Sequence, residues 1–278
     1  MAHAASTHAA SAQALEPVRV MSGAGATVAL IDSGVDASHP WFGGAPLRHV
    51  RVEKSGDQHR VIPCEGSDAS GHGTACAGIL RRMVPAATLV DVRALDADGK
   101  GSKSSLLASL RYCIEQRFDV VNLSLGIDVP RKANLELKDH LPILTLYELA
   151  DRAVSAGVVL VAAGPNVPHF RTYPGKFKAL VGVGRGAFDD WEGLVSSRTE
   201  DHELCAPGTD ILAPAVGLGE RRWTGTSFAT PFVSAHVARL VAARPRLPLD
   251  EVKTALHALA ASWQERSAMT RRGEEPLA

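Results

Sequence analysis

Short apolar runs alternate along this chain with stretches long enough to hold a helix, and that alternation constrains the fold more than any other feature. TVALID (27–32), TLVDVRAL (88–95), DVVNLSL (119–125), VVLVAAG (158–164) and ALVGVG (179–184) have strand length and are largely apolar on both faces. A strand with no polar face must be covered on both sides. Helical spacing appears in SLLASLRYCIEQ (105–116), in LYELADRAVSAG (146–157), which Gly157 closes, in FVSAHVARLVAARP (232–245) and from PLDEVKTALHALA (248–260). The pattern predicts an α/β chain with a mostly parallel central sheet and helices on both faces. Chemistry in such sheets gathers at the carboxyl ends of strands.

Charge and cysteine usage narrow the function. Thirty Lys and Arg balance thirty Asp and Glu, so the chain lacks the basic excess of a nucleic-acid or anionic-membrane binder. No apolar run reaches about 18 residues, so no transmembrane helix is expected. The segment MAHAASTHAASAQALEPVRVMSGAGA does not read as a signal peptide. Cys64, Cys76, Cys113 and Cys205 form no CxxC pair, and no Cys/His spacing fits zinc. They read as reduced thiols of a cytoplasmic chain, and neither a metal nor another cofactor is expected. Gly23 and Gly25 precede the first strand, whereas dinucleotide-binding glycines follow a strand and open a helix, so a nucleotide fold is rejected. Residues 24–263 read as one domain, with 1–23 and 264–278 as loosely attached ends.

Four polar residues stand at junctions of the predicted sheet. Asp32 ends the first apolar run, where an ordinary turn residue could also stand. His72 lies between Gly71 and Gly73, which allow close backbone approach, just ahead of a helical stretch. Asn166 follows VVLVAAGP, and Ser227 sits in GTSFATP at the start of an apolar helix. Singly, each has a plain structural explanation such as a turn or a helix cap. Together an Asp, a His, a Ser and a spare amide are the kit for nucleophilic acyl transfer. Gly225 reads as allowing a tight turn before Ser227. Pro231 removes the donor that the Ser227 carbonyl would normally meet one turn on.

VALIDSGVDASHP, GHGTACAGIL, VNLSLG, GVVLVAAGPN, YPGK, CAPGTDI and GTSFATP occur in the order and approximate spacing of the subtilisin-like serine proteases, the subtilase family, over roughly residues 24–243. The resemblance implies a three-layer subtilisin-like fold and a peptide or protein substrate. It makes Ser227 the nucleophile, His72 the general base, Asp32 the group that orients the imidazole, and Asn166 an oxyanion donor. By the same resemblance Gly99, Lys100 and Gly101 form an edge strand facing Ser124, Leu125 and Gly126, the two clamping the substrate between them. Ala162, Ala163 and Gly164 then wall the specificity pocket, and Thr172 lies at its base.

Several features depart from the family. Pro165 replaces the Gly that usually precedes the oxyanion Asn, and the loop after Asn166 is short, with His169 and Arg171 near a narrowed pocket. Segment 127–145 is longer than usual, as a tolerated surface insertion or as a binding loop. No pro-domain is recognisable before Asp32, as in intracellular relatives. Stretch 77–89, where many secreted relatives cage calcium, contains no Asp, Glu, Asn or Gln, so its helix is expected to run unbroken toward Pro85. The expected activity is an intracellular endopeptidase that matures a peptide. A peptide macrocyclase using the same acyl-enzyme and a non-catalytic peptide-binding pseudoprotease are the alternatives. The sequence leaves the oligomeric state open.

Overall fold

Each of the five apolar runs becomes a strand. The computed structural model describes residues 18, 21–56, 58–96, 98–197 and 199–272. In chain order the strands are β1 (Thr27–Asp32), β2 (Leu47–Ser55), β3 (Gln58–Pro63), β4 (Thr88–Arg93), β5 (Val120–Leu123), β6 (Ile127–Pro130), β7 (Val159–Ala163), β8 (Phe170–Tyr173), β9 (Val181–Gly186), β10 (Val195–Ser196), β11 (Leu204–Pro207), β12 (Ile211–Pro214) and β13 (Glu220–Trp223). The helices are α1 (His72–Met83), α2 (Lys103–Glu115), α3 (Leu137–Ala156), α4 (Thr226–Ala243) and α5 (Leu249–Arg272).

Nine strands form the central sheet in the order β10-β11-β9-β7-β5-β1-β4-β2-β3. All neighbours are parallel except the edge pairs β10–β11 and β2–β3. Two small antiparallel ribbons, β6–β8 and β12–β13, stand apart from it. β1 alternates its side chains between two layers. Val28 and Leu30 join one apolar cluster with α1, α4 and α5, while Ala29 and Ile31 join the other with α2 and α3. Each fully buried Val, Leu or Ile contributes roughly 1.5–3 kcal/mol, so both faces need their helices. The α/β three-layer expectation is met.

The sheet also positions chemistry. β1 lies between β4 and β5, so the chain leaves it toward one side of the sheet and returns on the other. Such a reversal opens a crevice at the strand's carboxyl end, and Asp32 is the last residue of β1.

Two helix bounds differ from the expectation. α3 begins at Leu137 rather than near 146, because Glu136 and Asp139 form a reciprocal capping box and Pro142 is accommodated inside the helix. Segment 127–145 comprises β6, a turn and the first turns of α3. α5 continues to Arg272, so much of the tail expected from 264 is helix. Of the N-terminal segment 1–23, residues 1–17, 19 and 20 lie outside the described residues, as do 273–278, and Val18 packs on the core.

Candidate active site

Asp32 is fully buried, and its Oδ1 lies 2.7 Å from His72 Nδ1. The same oxygen accepts the Ser33 backbone N–H at 2.8 Å. A carboxylate at Nδ1 holds the proton there and leaves Nε2 as the basic nitrogen. His72 is the first residue of α1, after Gly71 in the left-handed region at φ 78°. A Cβ on Gly73 would stand 2.2 Å from the Gly34 carbonyl oxygen, so only glycine lets α1 press on the β1 exit. That contact brings His72 to Asp32.

Asp68, a residue that sequence reasoning missed, organises this corner. Its carboxylate accepts the backbone N–H groups of Ser70, Gly71 and Thr74 at 3.1, 2.9 and 2.9 Å, and the Ser33 and Thr74 hydroxyls at 2.9 and 2.7 Å. It satisfies the orphan donors at the start of α1 and ties that start to the residue after Asp32. Its signal was present as an acid just ahead of a helix start. Burial favours neutral His72, but the Asp32 charge and hydrogen bond, with Asp68 behind them, outweigh it. The imidazole is held above its ordinary value of 6.5, and Arg221 opposes the shift.

Ser227 is the second residue of α4 and is half-buried. The Phe228 ring lies 5.0 Å from the His72 ring, and Trp223 closes an edge-on contact at 6.4 Å. The chain bends at Gly225, whose carbonyl accepts the Phe228 N–H at 3.1 Å, but the residue is extended at φ 162° and a Cβ there would meet nothing nearer than 3.5 Å, so the bend does not require glycine. The Ser227 carbonyl, deprived of its helical donor by Pro231, accepts the Ser124 hydroxyl at 2.8 Å and the Cys76 thiol at 3.5 Å. Asn122 Nδ2 donates to Ser124 Oγ, and Ser234 donates to Asn122 Oδ1, both at 2.8 Å. A buried chain of hydrogen bonds thus locks the start of α4 to β5. Asn122 was visible as a polar residue in an apolar strand, which requires partners.

Asn166 is exposed, and its Oδ1 accepts the Thr226 N–H at 2.8 Å. The oxygen end of its amide is fixed to α4, which leaves the NH₂ end for the cleft.

The remaining sequence candidates divide. Gly99 and Gly101 line one wall of a cavity of about 300 Å³ whose other wall includes Leu125 and Gly126. The 99–101 segment is a loop rather than a strand, because Asp96 accepts the Lys100 N–H and closes the turn. Ser124 is buried and spends its hydroxyl on Ser227. Ala162 and Ala163 are buried in β7 and Gly164 is buried at its exit, so neither alanine side chain faces open space. Thr172 is buried on β8, donating to Asp128 at 2.6 Å. His169 accepts the Arg131 N–H through its carbonyl at 2.8 Å.

Asp32, His72 and Cys76 bring potential metal-ligand atoms within 4.8 Å of one another. Burial pushes the Cys76 thiol well above its ordinary value, which keeps it neutral, and Asp32 already occupies His72 Nδ1. A neutral thiol is a poor ligand. Among the described residues no helix is long and apolar enough to cross a membrane.

Comparison with known proteins gives concordant matches. The model of the Subtilase family (Peptidase S8) matches residues 23–273. The chain is 29% identical over 252 residues to Subtilisin E of Bacillus subtilis (strain 168), covering 86% of this chain and 61% of that protein. It is 30% identical over 233 residues to the Intracellular serine protease of Paenibacillus polymyxa, covering 78% and 66%. It therefore spans under two thirds of the length of both. A solved structure described as a cold adapted subtilisin-like serine proteinase superposes with a TM-score of 0.66 at 25% identity, covering 86% of this chain and 83% of that one.

Proposed function

This chain belongs to the subtilase family, and on that premise we propose that it is a serine endopeptidase working through Asp32, His72 and Ser227. The observation that carries the reading is the 2.7 Å Asp32–His72 contact, set against the helix start that bears Ser227. Ser227 Oγ attacks the substrate carbonyl while His72 Nε2 takes its proton. The tetrahedral oxyanion is held by the Ser227 N–H and the Asn166 NH₂ at the positive end of α4. His72 then protonates the leaving amine, and water releases the acyl group by the same route. Asp32 keeps the imidazole oriented and stabilises its charged form.

The finer reading is a cytoplasmic enzyme that matures one peptide rather than degrading many. All four cysteines are free thiols, which suits a reducing compartment. Thr172 and Asp128, bonded across the β6–β8 ribbon, support a narrow pocket. A macrocyclase would release the acyl group to an amine instead of water, and product mass separates the two outcomes.

Ser227→Ala and His72→Ala should each lower kcat/KM for peptide cleavage by roughly 10⁴–10⁶-fold with folding intact. A fluorophosphonate probe should label wild type and not Ser227→Ala. Wild-type turnover by purified Ser227→Ala would overturn the assignment, and an unlabelled, folded wild type would favour a pseudoprotease.

A further inference from the structure

Two cavities adjoin at Leu95, Gly101 and Ser102, which line both. On one side Leu95, Leu106, Leu125 and Ile127 help enclose about 300 Å³. On the other, a cavity of about 470 Å³ reaches back to Ser33, beside Asp32, and to Ala69, just before the His72 turn. The smaller is mostly apolar, with Lys103 as the one charged residue among its described lining residues. The larger is lined by Arg51, Arg93 and Lys100, with Asp96 as the one acid among its described lining residues.

Most of the local negative charge is already committed. Asp96 Oδ1 accepts the backbone N–H groups of Asp98 and Lys100 at 3.0 and 2.9 Å. Glu53 pairs with Arg51 at 2.7 Å in a half-exposed contact. Arg93 Nη1 donates to the backbone oxygen and hydroxyl of Ser67, both neutral acceptors. Arg93 and Lys100 form no ion pair with a carboxylate among the described residues. The start of α2 closes the cavity, where the Ser102 hydroxyl caps the helix by accepting the Ser105 N–H at 2.9 Å. The helix dipole adds to the positive potential.

We propose that this basic cavity is a substrate subsite that takes the side-chain carboxylate of an Asp or Glu near the bond cleaved. The inference rests on the protease reading and names the class of peptide that the enzyme prefers. An extended peptide lying along 99–101 directs alternate side chains to opposite sides of its own strand. One set can reach the mostly apolar cavity, and another can reach Arg93 and Lys100. A Lys or Arg at the second position meets like charges and is rejected, so the cavity selects by repulsion as well as attraction.

The test uses matched peptides that differ only by Glu or Gln at each position in turn. Wild type should cleave the Glu peptide about tenfold better in kcat/KM at one position, and added salt should shrink that ratio. Lys100→Gln and Arg93→Gln should each bring the ratio toward one. Lys100→Glu, a change on an exposed loop, should move the preference toward Lys at the same position. Equal cleavage of Glu and Gln peptides at every position, or a ratio unchanged in all three variants, would overturn the proposal. If wild type cleaves no peptide, the protease reading fails by itself. The subsite is then judged by whether Ser227→Ala protein binds the Glu peptide more tightly than the Gln peptide, and equal affinity overturns it.

Discussion

The general base of the proposed mechanism is tuned by residues on two different elements. Asp32 at the end of β1 and Asp68 before α1 both favour protonated His72, against burial and Arg221. Because the base must be neutral to act, kcat/KM should rise with pH through a midpoint above the ordinary 6.5. Asp68→Asn removes one stabilising charge, so the midpoint should move down, which a pH–rate profile on one peptide would show. The sign for stability is opposite. A raised folded pKa contributes stability that is complete below the unfolded value and is lost as pH rises through the folded value. Ser124 makes a different residue-scale claim. Ser124→Ala would leave the Ser227 carbonyl with only the weak Cys76 thiol, and should cost about 1–3 kcal/mol in denaturant unfolding. A variant within a few tenths of wild type would show that the hydroxyl is replaceable.

At the scale of elements, the β6–β8 ribbon braces the loop that carries Asn166. Arg131, just after β6, donates its backbone N–H to the His169 carbonyl and its Nε to the Pro168 carbonyl, both at 2.8 Å. Its guanidinium also pairs with Glu200 at 2.8 Å and with Asp201. These bonds fix the short stretch between Asn166 and β8. Arg131→Ala should loosen that loop and lower kcat by roughly tenfold with a smaller change in KM. Asn166→Ala should cost about 10²–10³ in kcat. Equal rises in KM without loss of kcat would mean that Arg131 serves substrate binding instead.

α1 shows a second element-scale device. It runs unbroken to Met83, as expected, and Arg81 Nη1 donates to the Pro85 and Ala87 carbonyls at 2.7 and 3.2 Å. Arg82 stacks on Trp191, with its guanidinium carbon 4.4 Å from the ring centroid. A guanidinium supplied by the chain thus holds carbonyl oxygens of the turn after α1. Arg81→Met should destabilise by about 2 kcal/mol through those carbonyls.

The whole molecule is built on two apolar layers about one sheet, and its stability should derive from them rather than from a bound ion. Thermal unfolding in metal-free buffer with EDTA should give the same Tm as with added calcium, within about a degree or two. A calcium-reversible fall of many degrees would reveal a structural cation site.

Periodicity made the layers legible, because a strand apolar on both faces has only one kind of surroundings. It also marked Asp32, His72, Asn166 and Ser227 as standing at junctions, and the resemblance to the subtilases supplied their roles. The β2–β3 hairpin was not legible. LRHVRVEKS alternates charge with apolar residues, and only its docking beside β4 makes it part of the sheet. The early start of α3 was hidden for a similar reason. Leu137, Leu141 and Leu144 stay more than half exposed, so no buried face announces that end of the helix. The sequence by itself determined the five central parallel strands and most of their covering helices, because run length and spacing are encoded locally, and its ordered motifs pointed to the proposed reacting groups through the family resemblance. Only the tertiary structure decided that Asp68 reaches Ser33, that Ser124 serves the Ser227 carbonyl, and that Arg51 shares one cavity with Arg93 and Lys100. Those are contacts between segments far apart in the chain, and no local pattern specifies which unsatisfied donor will meet which acceptor once the strands are packed.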